Sequence, residues 1–236
     1  KGIDKEDYSV GHFQYTFYFT SKVGVTWGVN DVDFMVLVTN GYVLGKDGDS
    51  ALTLKIIVVQ DEIFKLLIFS EDFPEADINY NATFDFEGWT NFAETGTKLW
   101  IERDYNNDGY IQFSPFGSGQ ASNIGWAITP AIDLGEAENV VLSFSSATNF
   151  VDNPANKLEV LISSDFDGTN VLGATWTSLN ATVANETTNG YVYIPSGEID
   201  LSSYSGIIHI AFRVTGNGNT LDGLFQVDKV KVYENN

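Results

Sequence analysis

The sequence predicts an all-β protein. Three observations carry that prediction. Apolar and polar residues alternate with a period of two along most of the chain, clusters of turn-forming residues separate the alternating runs, and no stretch keeps a helical period for long. In "FQYTFYF", Phe13, Tyr15, Phe17 and Phe19 share one face, with Gln14 and Thr16 opposite. "DVDFMVLVT" sets Val32, Phe34, Val36 and Val38 together, and "ALTLKIIVV" does the same with Leu52, Leu54, Ile56 and Val58. "GIIHIAFRV" offers Ile208, Ile210, Phe212 and Val214 to a core and turns His209 and Arg213 away from it. Side chains on a strand point alternately to its two faces, so each run reads as a half-buried strand. "GKDGDS", "DFDGTN" and "GNGNTLDG" supply turns between strands. "DLGEAENV", the best helical candidate, is too short for a stable helix.

A boundary is expected near residue 69. Residues 1–68 hold a handful of strands, which suits a small immunoglobulin-like β-sandwich. Residues 69–236 carry enough strand-like segments for two packed antiparallel sheets, a jelly roll.

Composition narrows the function. Apolar residues make up 43% and aromatics 14% of the 236 residues, as in a globular protein. Only 12 Lys and Arg stand against 32 Asp and Glu, a formal charge of -20. Such a surface repels phosphate backbones and anionic lipids, which argues against nucleic-acid and membrane-surface binding. It suits divalent cations and uncharged glycans. No cysteine is present, so disulfides, thiolate zinc sites and cysteine nucleophiles are excluded. No apolar run approaches the ~20 residues of a membrane-spanning helix.

From Phe69 onward a series of motifs runs in order: "FSEDFPE", "FEGWTNF", "GTKLWIERDY", "GYIQFSPFGSG", "SNIGWAITPAIDL", "VLSFSSA", "NKLEVLISSDFDGTNV", "ATWTSL", "IDLSSYSG", "IHIAFRVTG" and "LFQVDKVKVY". In these the second domain resembles the choice-of-anchor J, or cleaved-adhesin, family of jelly rolls, which is related in design to the MAM domain. The resemblance implies a jelly roll exported to the outer surface of a Bacteroidetes-type bacterium, with a role in adhesion or glycan capture. Anchoring is then expected from a lipidated N-terminus upstream of Lys1, as in a lipoprotein. It also implies a structural calcium ion where acidic residues of the first strand meet one of the last, here Glu71, Asp72 and Asp228.

The residues add one observation of their own. In "LFQVDKVKVY", Phe225 and Val227 fall on one parity and Val230 and Val232 on the other, so the strand changes phase at Asp228–Lys229. A β-bulge does this, and it re-aims a side chain. The competing expectation is that Lys229 or Lys231 pairs with Asp228 at the surface.

A second metal candidate lies in "DYNNDGYIQF", where Asp104, Asn106, Asp108 and Gly109 spell the opening of an EF-hand loop. The position that needs a bidentate Glu holds Pro115, and the flanks alternate like strands, so an EF-hand is excluded. A turn between two strands is the stronger reading, and "DFDGTN" reads the same way.

Trp89, Trp100, Trp126 and Trp176 sit among alternating apolar residues and are expected in the core. Trp27, beside a loop, and Tyr105 and Tyr110, flanking the Asx-rich turn, are the aromatic candidates for stacking on a sugar. No catalytic residue is assigned. His12 and His209 stand far apart with no nucleophile motif near either, and no carboxylate sits inside an apolar run as a buried glycosidase acid would.

The function expected is that of a non-catalytic extracellular surface protein, which binds glycan or a host component through a calcium-stabilised jelly roll. The alternative is a structural or accessory protein that docks on another surface protein, and a hydrolase ranks third. Glycan binding requires exposed aromatics along a groove. Docking requires a broad apolar patch, and hydrolysis requires two carboxylates across a cleft, one with a raised pKa.

Overall fold

The computed structural model describes residues 65–74 and 82–235, preceded by the backbone of three strands over residues 27–29, 32–44 and 50–57. The chain forms two compact units, Lys1–Ile63 and Phe64–Asn236. This division falls a few residues ahead of the expected one. The reason is that Lys65–Glu71 is one continuous strand, paired along the last strand of the second unit.

In the first unit, β1 (Trp27–Val29), β2 (Val32–Leu44) and β3 (Ser50–Ile57) make an antiparallel sheet in the order β1-β2-β3. The register of β2 on β3 slips between Val38 and Tyr42, at "TNG", where the chain inserts extra residues into the strand. "FQYTFYF" and the rest of the expected immunoglobulin-like sandwich lie outside the described residues.

The second unit is a β-sandwich with no helix among its described residues. Its strands are β4 (Lys65–Glu71), β5 (Thr90–Thr95), β6 (Ile101–Tyr105), β7 (Asp108–Phe113), β8 (Asn123–Ile128), β9 (Ile132–Asp133) and β10 (Val140–Asn149), followed by β11 (Lys157–Ser163), β12 (Thr177–Ser178), β13 (Ile194–Pro195), β14 (Ile199–Asp200), β15 (Ile207–Gly216) and β16 (Leu224–Asn235). One sheet runs β13-β10-β16-β7-β6, with β14 also on β10 and β4 also on β16. The other runs β12-β11-β15-β8-β5, with β9 also on β15.

The inner faces make one core. Ile208, Ile210, Phe212 and Val214 of β15 are fully buried in it, as their alternation predicts. On β16 the expected bulge is present. Ser143 lies opposite Lys231 but Ser145 lies opposite Asp228, and the extra residue, Lys229, takes a left-handed φ of 56°. The slip puts Phe225 and Val227 before it, and Val230 and Val232 after it, on the same inward face.

Trp100 is fully buried, and Trp89 packs against Phe69, Phe73 and Phe84. Trp126 and Trp176 meet in a smaller cluster with Phe166, Leu161 and Val171 on the outer face of the other sheet. His209 belongs to that face, its Nδ1 2.9 Å from the Thr129 carbonyl and its ring edge-on to Phe166, which is a packing role.

Gly125 of β8 faces Phe113 of β7 across the core, and a methyl group on Gly125 would run into the Phe113 ring. Gly125→Ala is therefore expected to destabilise the second unit by about 1–3 kcal/mol through overpacking, read as a lower urea midpoint at unchanged slope.

Candidate functional site

Directly paired residues of an antiparallel sheet share a face. On the seven-stranded sheet Ile111, Phe113, Phe225 and Val227 face the core, so their neighbours face outward. The outward residues pair across four strands: Ile101 with Gln112, Gln112 with Gln226, Gln226 with Ala147, and Leu224 with Asn149. This face carries side-chain amides where an ordinary solvated face would carry charges. Gln226 Nε2 donates to Gln112 Oε1 at 3.0 Å, and both residues are nearly buried.

A groove of about 1120 Å³ opens on this face. Ile101, Gln112, Leu224 and Asn149 form its floor, and Lys98, Phe116, Phe150, Asp152, Asn189 and Asp222 come to it from the surrounding loops. It exceeds the ~300–1,000 Å³ typical of small-molecule pockets.

Large exposed rings mark the groove. Phe116 is 71% exposed and Phe150 67% exposed, and Tyr191, 47% exposed, stands edge-on to Phe150 with ring centres 6.3 Å apart. Phe150 and Tyr191 both have left-handed backbones, with φ of 61° and 62°. Bulky residues avoid that region, at a cost of about 1 kcal/mol or more each, so the surrounding structure must impose it.

The clamps that impose it are visible. Asn189 Oδ1 accepts the Val151 N–H at 3.0 Å, while its Nδ2 donates to the carbonyls of Val151 and Glu186. The N–H of Tyr191 donates to the Thr148 carbonyl at 3.0 Å. Beneath the loop lies Gly223, where a methyl group would come within 2.8 Å of the Phe150 carbonyl. Across the groove, Ser114 Oγ donates to the Asp222 carbonyl and accepts the N–H of Phe116, both at 3.3 Å.

The sequence candidates fall elsewhere. Tyr105 ends β6 on the same outer face and is 71% exposed. Tyr110 is half-buried and edge-on to Tyr193 at 6.4 Å. Neither lines the groove. Burial pushes the hydroxyl of Tyr110 up in pKa, and that of Tyr193 further, with the Asp228 carboxylate adding to the latter. The Tyr193 hydroxyl is buried with no hydrogen-bond partner. Trp27 lies in β1, and its side chain is outside the described residues.

"DYNNDGYIQF" is a hairpin. Tyr105 pairs with Asp108, and the two loop residues, Asn106 and Asn107, have φ of 58° and 62°, the signs that a type I′ turn needs. Asp104 pairs with Gly109, one residue out of phase with Asp108, so these two carboxylates leave opposite faces and do not converge with Asn106 on one ion.

Glu71, Asp72 and Asp228 are not brought together either. Glu71 accepts the Phe73 N–H at 2.8 Å, and Asp72 lies 3.6 Å from Lys231 Nζ. Asp228, 1% exposed, accepts the ammonium of Lys229 at 2.9 Å and the Lys229 backbone N–H at 2.6 Å. The same ammonium reaches Asp108 at 3.1 Å. Among the described residues no three His, Asp or Glu side chains group as metal ligands. The expected calcium set is therefore not assembled, and the cation beside Asp228 is the protein's own.

The groove residues escaped sequence reasoning because alternation cannot flag them. Phe116 in "SPFGSG", Phe150 in "TNFVDN" and Tyr191 in "TNGYVY" are large rings set among turn-formers. A bulky aromatic placed where a turn wants Gly or Asn was the available signal.

No protein-family model matches the chain, and no curated protein matches it in sequence. Solved structures with a similar fold include the K2 cleaved adhesin domain of Lys-gingipain, at 14% identity over 70% of this chain and 96% of that one, TM-score 0.49. The K1 domain of Lys-gingipain from Porphyromonas gingivalis W83 is 19% identical over 71% of this chain and 98% of that one, TM-score 0.43. TmCBM27, a carbohydrate-binding module described for specific mannan recognition, is 15% identical over 73% of this chain and 99% of that one, TM-score 0.42.

The Asp228–Lys229 pair sets a stability test. Burial raises the pKa of Asp228 although the Lys229 ammonium opposes the rise. A carboxyl raised on folding favours the native state at low pH, and that advantage is lost as pH rises from the unfolded pKa through the folded one. Lys229→Met leaves the buried carboxylate with only its backbone partner. It should cost about 2–3 kcal/mol near neutral pH, less than a fully buried pair because the ammonium is half in water. The deficit should shrink on acidification as Asp228 takes up a proton, a difference that urea unfolding at the two pH values measures.

Proposed function

We propose that this chain is a non-catalytic extracellular glycan-binding protein whose outer-face groove holds an uncharged sugar chain. The observation that carries the reading is the pair of exposed rings Phe116 and Phe150, the latter backed edge-on by Tyr191, at a groove floored by Gln112 and Asn149 and clamped by Asn189. Sugars present apolar C–H faces that pack on aromatic rings, and hydroxyl edges that amides both donate to and accept from. Backbone strain held at the two aromatic positions fits a site shaped before its ligand arrives.

Charge selects the ligand class. Asp152 and Asp222 border the groove with a single Lys98, on a chain of charge -20, so uronic and sulfated glycans are disfavoured. The carboxylates that burial raises, Glu71 and Asp228, lie outside the groove lining. Export to the cell surface is the setting that the family resemblance implies.

An array of neutral, uronic and sulfated glycans tests the reading, with binding to neutral chains expected. Phe116→Ala and Phe150→Ala should each weaken that binding about tenfold, ~1.4 kcal/mol, at unchanged melting temperature, since both rings are exposed. Phe150→Gly separates shape from stability. It should abolish the ring's contribution yet hold or raise the melting temperature, because glycine accepts the left-handed backbone that phenylalanine resists. Binding left intact in all three variants would overturn the assignment of the groove.

A further inference from the structure

The groove does not end the aromatic face. On β6, Ile101 lies in the groove lining, and Arg103 and Tyr105 follow on the same side of the strand. Four residues of strand advance ~13 Å, so Tyr105 stands well beyond the groove and is still 71% exposed. Between them lies Tyr110, paired with Arg103 in the sheet, half-buried and propped edge-on by Tyr193. The Gln112–Gln226 amide pair joins this region to the groove floor. Charge there is balanced locally, because the Lys229 ammonium binds both Asp108 and Asp228, and Arg103, opposite Tyr110, adds a second positive charge. An aromatic, amide-bearing track therefore continues along β6 and β7 towards the hairpin tip.

We propose that Tyr105 and Tyr110 form a second contact zone for the same ligand, so that the glycan is a linear uncharged chain lying along β6 and β7 and longer than the groove alone accommodates. This rests on the glycan-binding reading of the groove and adds the ligand's length and direction. A protein that takes a terminal mono- or disaccharide has no use for a stacking ring ~13 Å outside its pocket. A chain bound along its length gains from each further ring it meets, since later contacts are made by a ligand already held.

The experiment uses the full chain and four uncharged series, dextrin and β-1,4-linked gluco-, xylo- and manno-oligosaccharides, each as disaccharide and hexasaccharide, with affinities from calorimetry. The hexasaccharide of the recognised series is expected to bind about tenfold tighter than its disaccharide. Tyr105→Ala and Tyr110→Ala should each cut that advantage to about threefold or less and leave the disaccharide affinity unchanged. Phe150→Ala should weaken both lengths alike. Tyr105 is exposed, so its substitution does not threaten the fold, and it decides the matter if Tyr110→Ala proves unstable.

Equal affinity for the two lengths, or a length advantage intact in Tyr105→Ala, overturns the second zone and leaves the groove reading standing. Failure of the wild-type chain to bind any of the four series and any neutral glycan on the array overturns the groove reading, and the second zone with it.

Discussion

The pairing of β16 is the constraint on which the second unit depends. This strand runs beside β10 along nearly its whole length, while its other edge serves β7 first and β4 afterwards. A regular strand that long would turn half of its apolar residues outward, given the sequence it carries. The single extra residue at Lys229 removes the conflict, and Phe225, Val227, Val230 and Val232 all reach the core. The bulge also determines what happens on the outer face. Asp228 is left there under cover, in a position that water does not reach, and it needs a cation. The adjacent residue supplies one, and through Asp108 the same ammonium ties the tip of the β6–β7 hairpin to the central strand.

The outer face of this sheet is where stability is spent on shape. A solvated face would carry long charged side chains that need no fixed position. Here, beside the Lys229 ion pairs, it carries paired glutamines and rings whose backbones are held left-handed by N–H groups donating to Asn189 and Thr148. Each of these choices is locally unfavourable, and together they leave a groove whose walls are in place without a ligand. The opposite sheet shows the contrast. Its outer aromatics, Trp126, Phe166 and Trp176, are covered by the chain's own loop, with Trp176 Nε1 donating to the Val171 carbonyl and the Arg213 guanidinium over Trp126. One sheet closes its aromatic residues off from solvent, and the other presents them.

Much of the fold was legible in the sequence because strand burial follows parity. The inward set of β15, the hairpin at Asn106–Asn107 and the phase change at Asp228 all come from spacing along one strand or one turn. Trp100 is buried as its apolar setting suggests, whereas Trp126 lies on the outer face and owes its burial to the loop that covers it. What spacing cannot encode is which strand lies beside which. Glu71 faces Val230, and Asp228 faces Ser145, so carboxylates expected to share an ion end in separate ion pairs and hydrogen bonds. The division between units moved for a related reason, since the pairing of residues 65–68 with a strand at the far end of the chain is a long-range fact.

By itself, then, the sequence determined the all-β class, the inward faces, the turns and the bulge, because these depend on neighbours within a few residues. Only the tertiary structure decided the groove. Phe116 and Phe150 reach it from two loops, with Tyr191 of a third edge-on to Phe150, and this arrangement depends on the register of β7, β16 and β10 and on clamps such as Asn189 to Val151, 38 residues apart. A ring set among turn residues has no parity to read. Its exposure is decided by what the other loops leave uncovered, and that is a property of the folded surface.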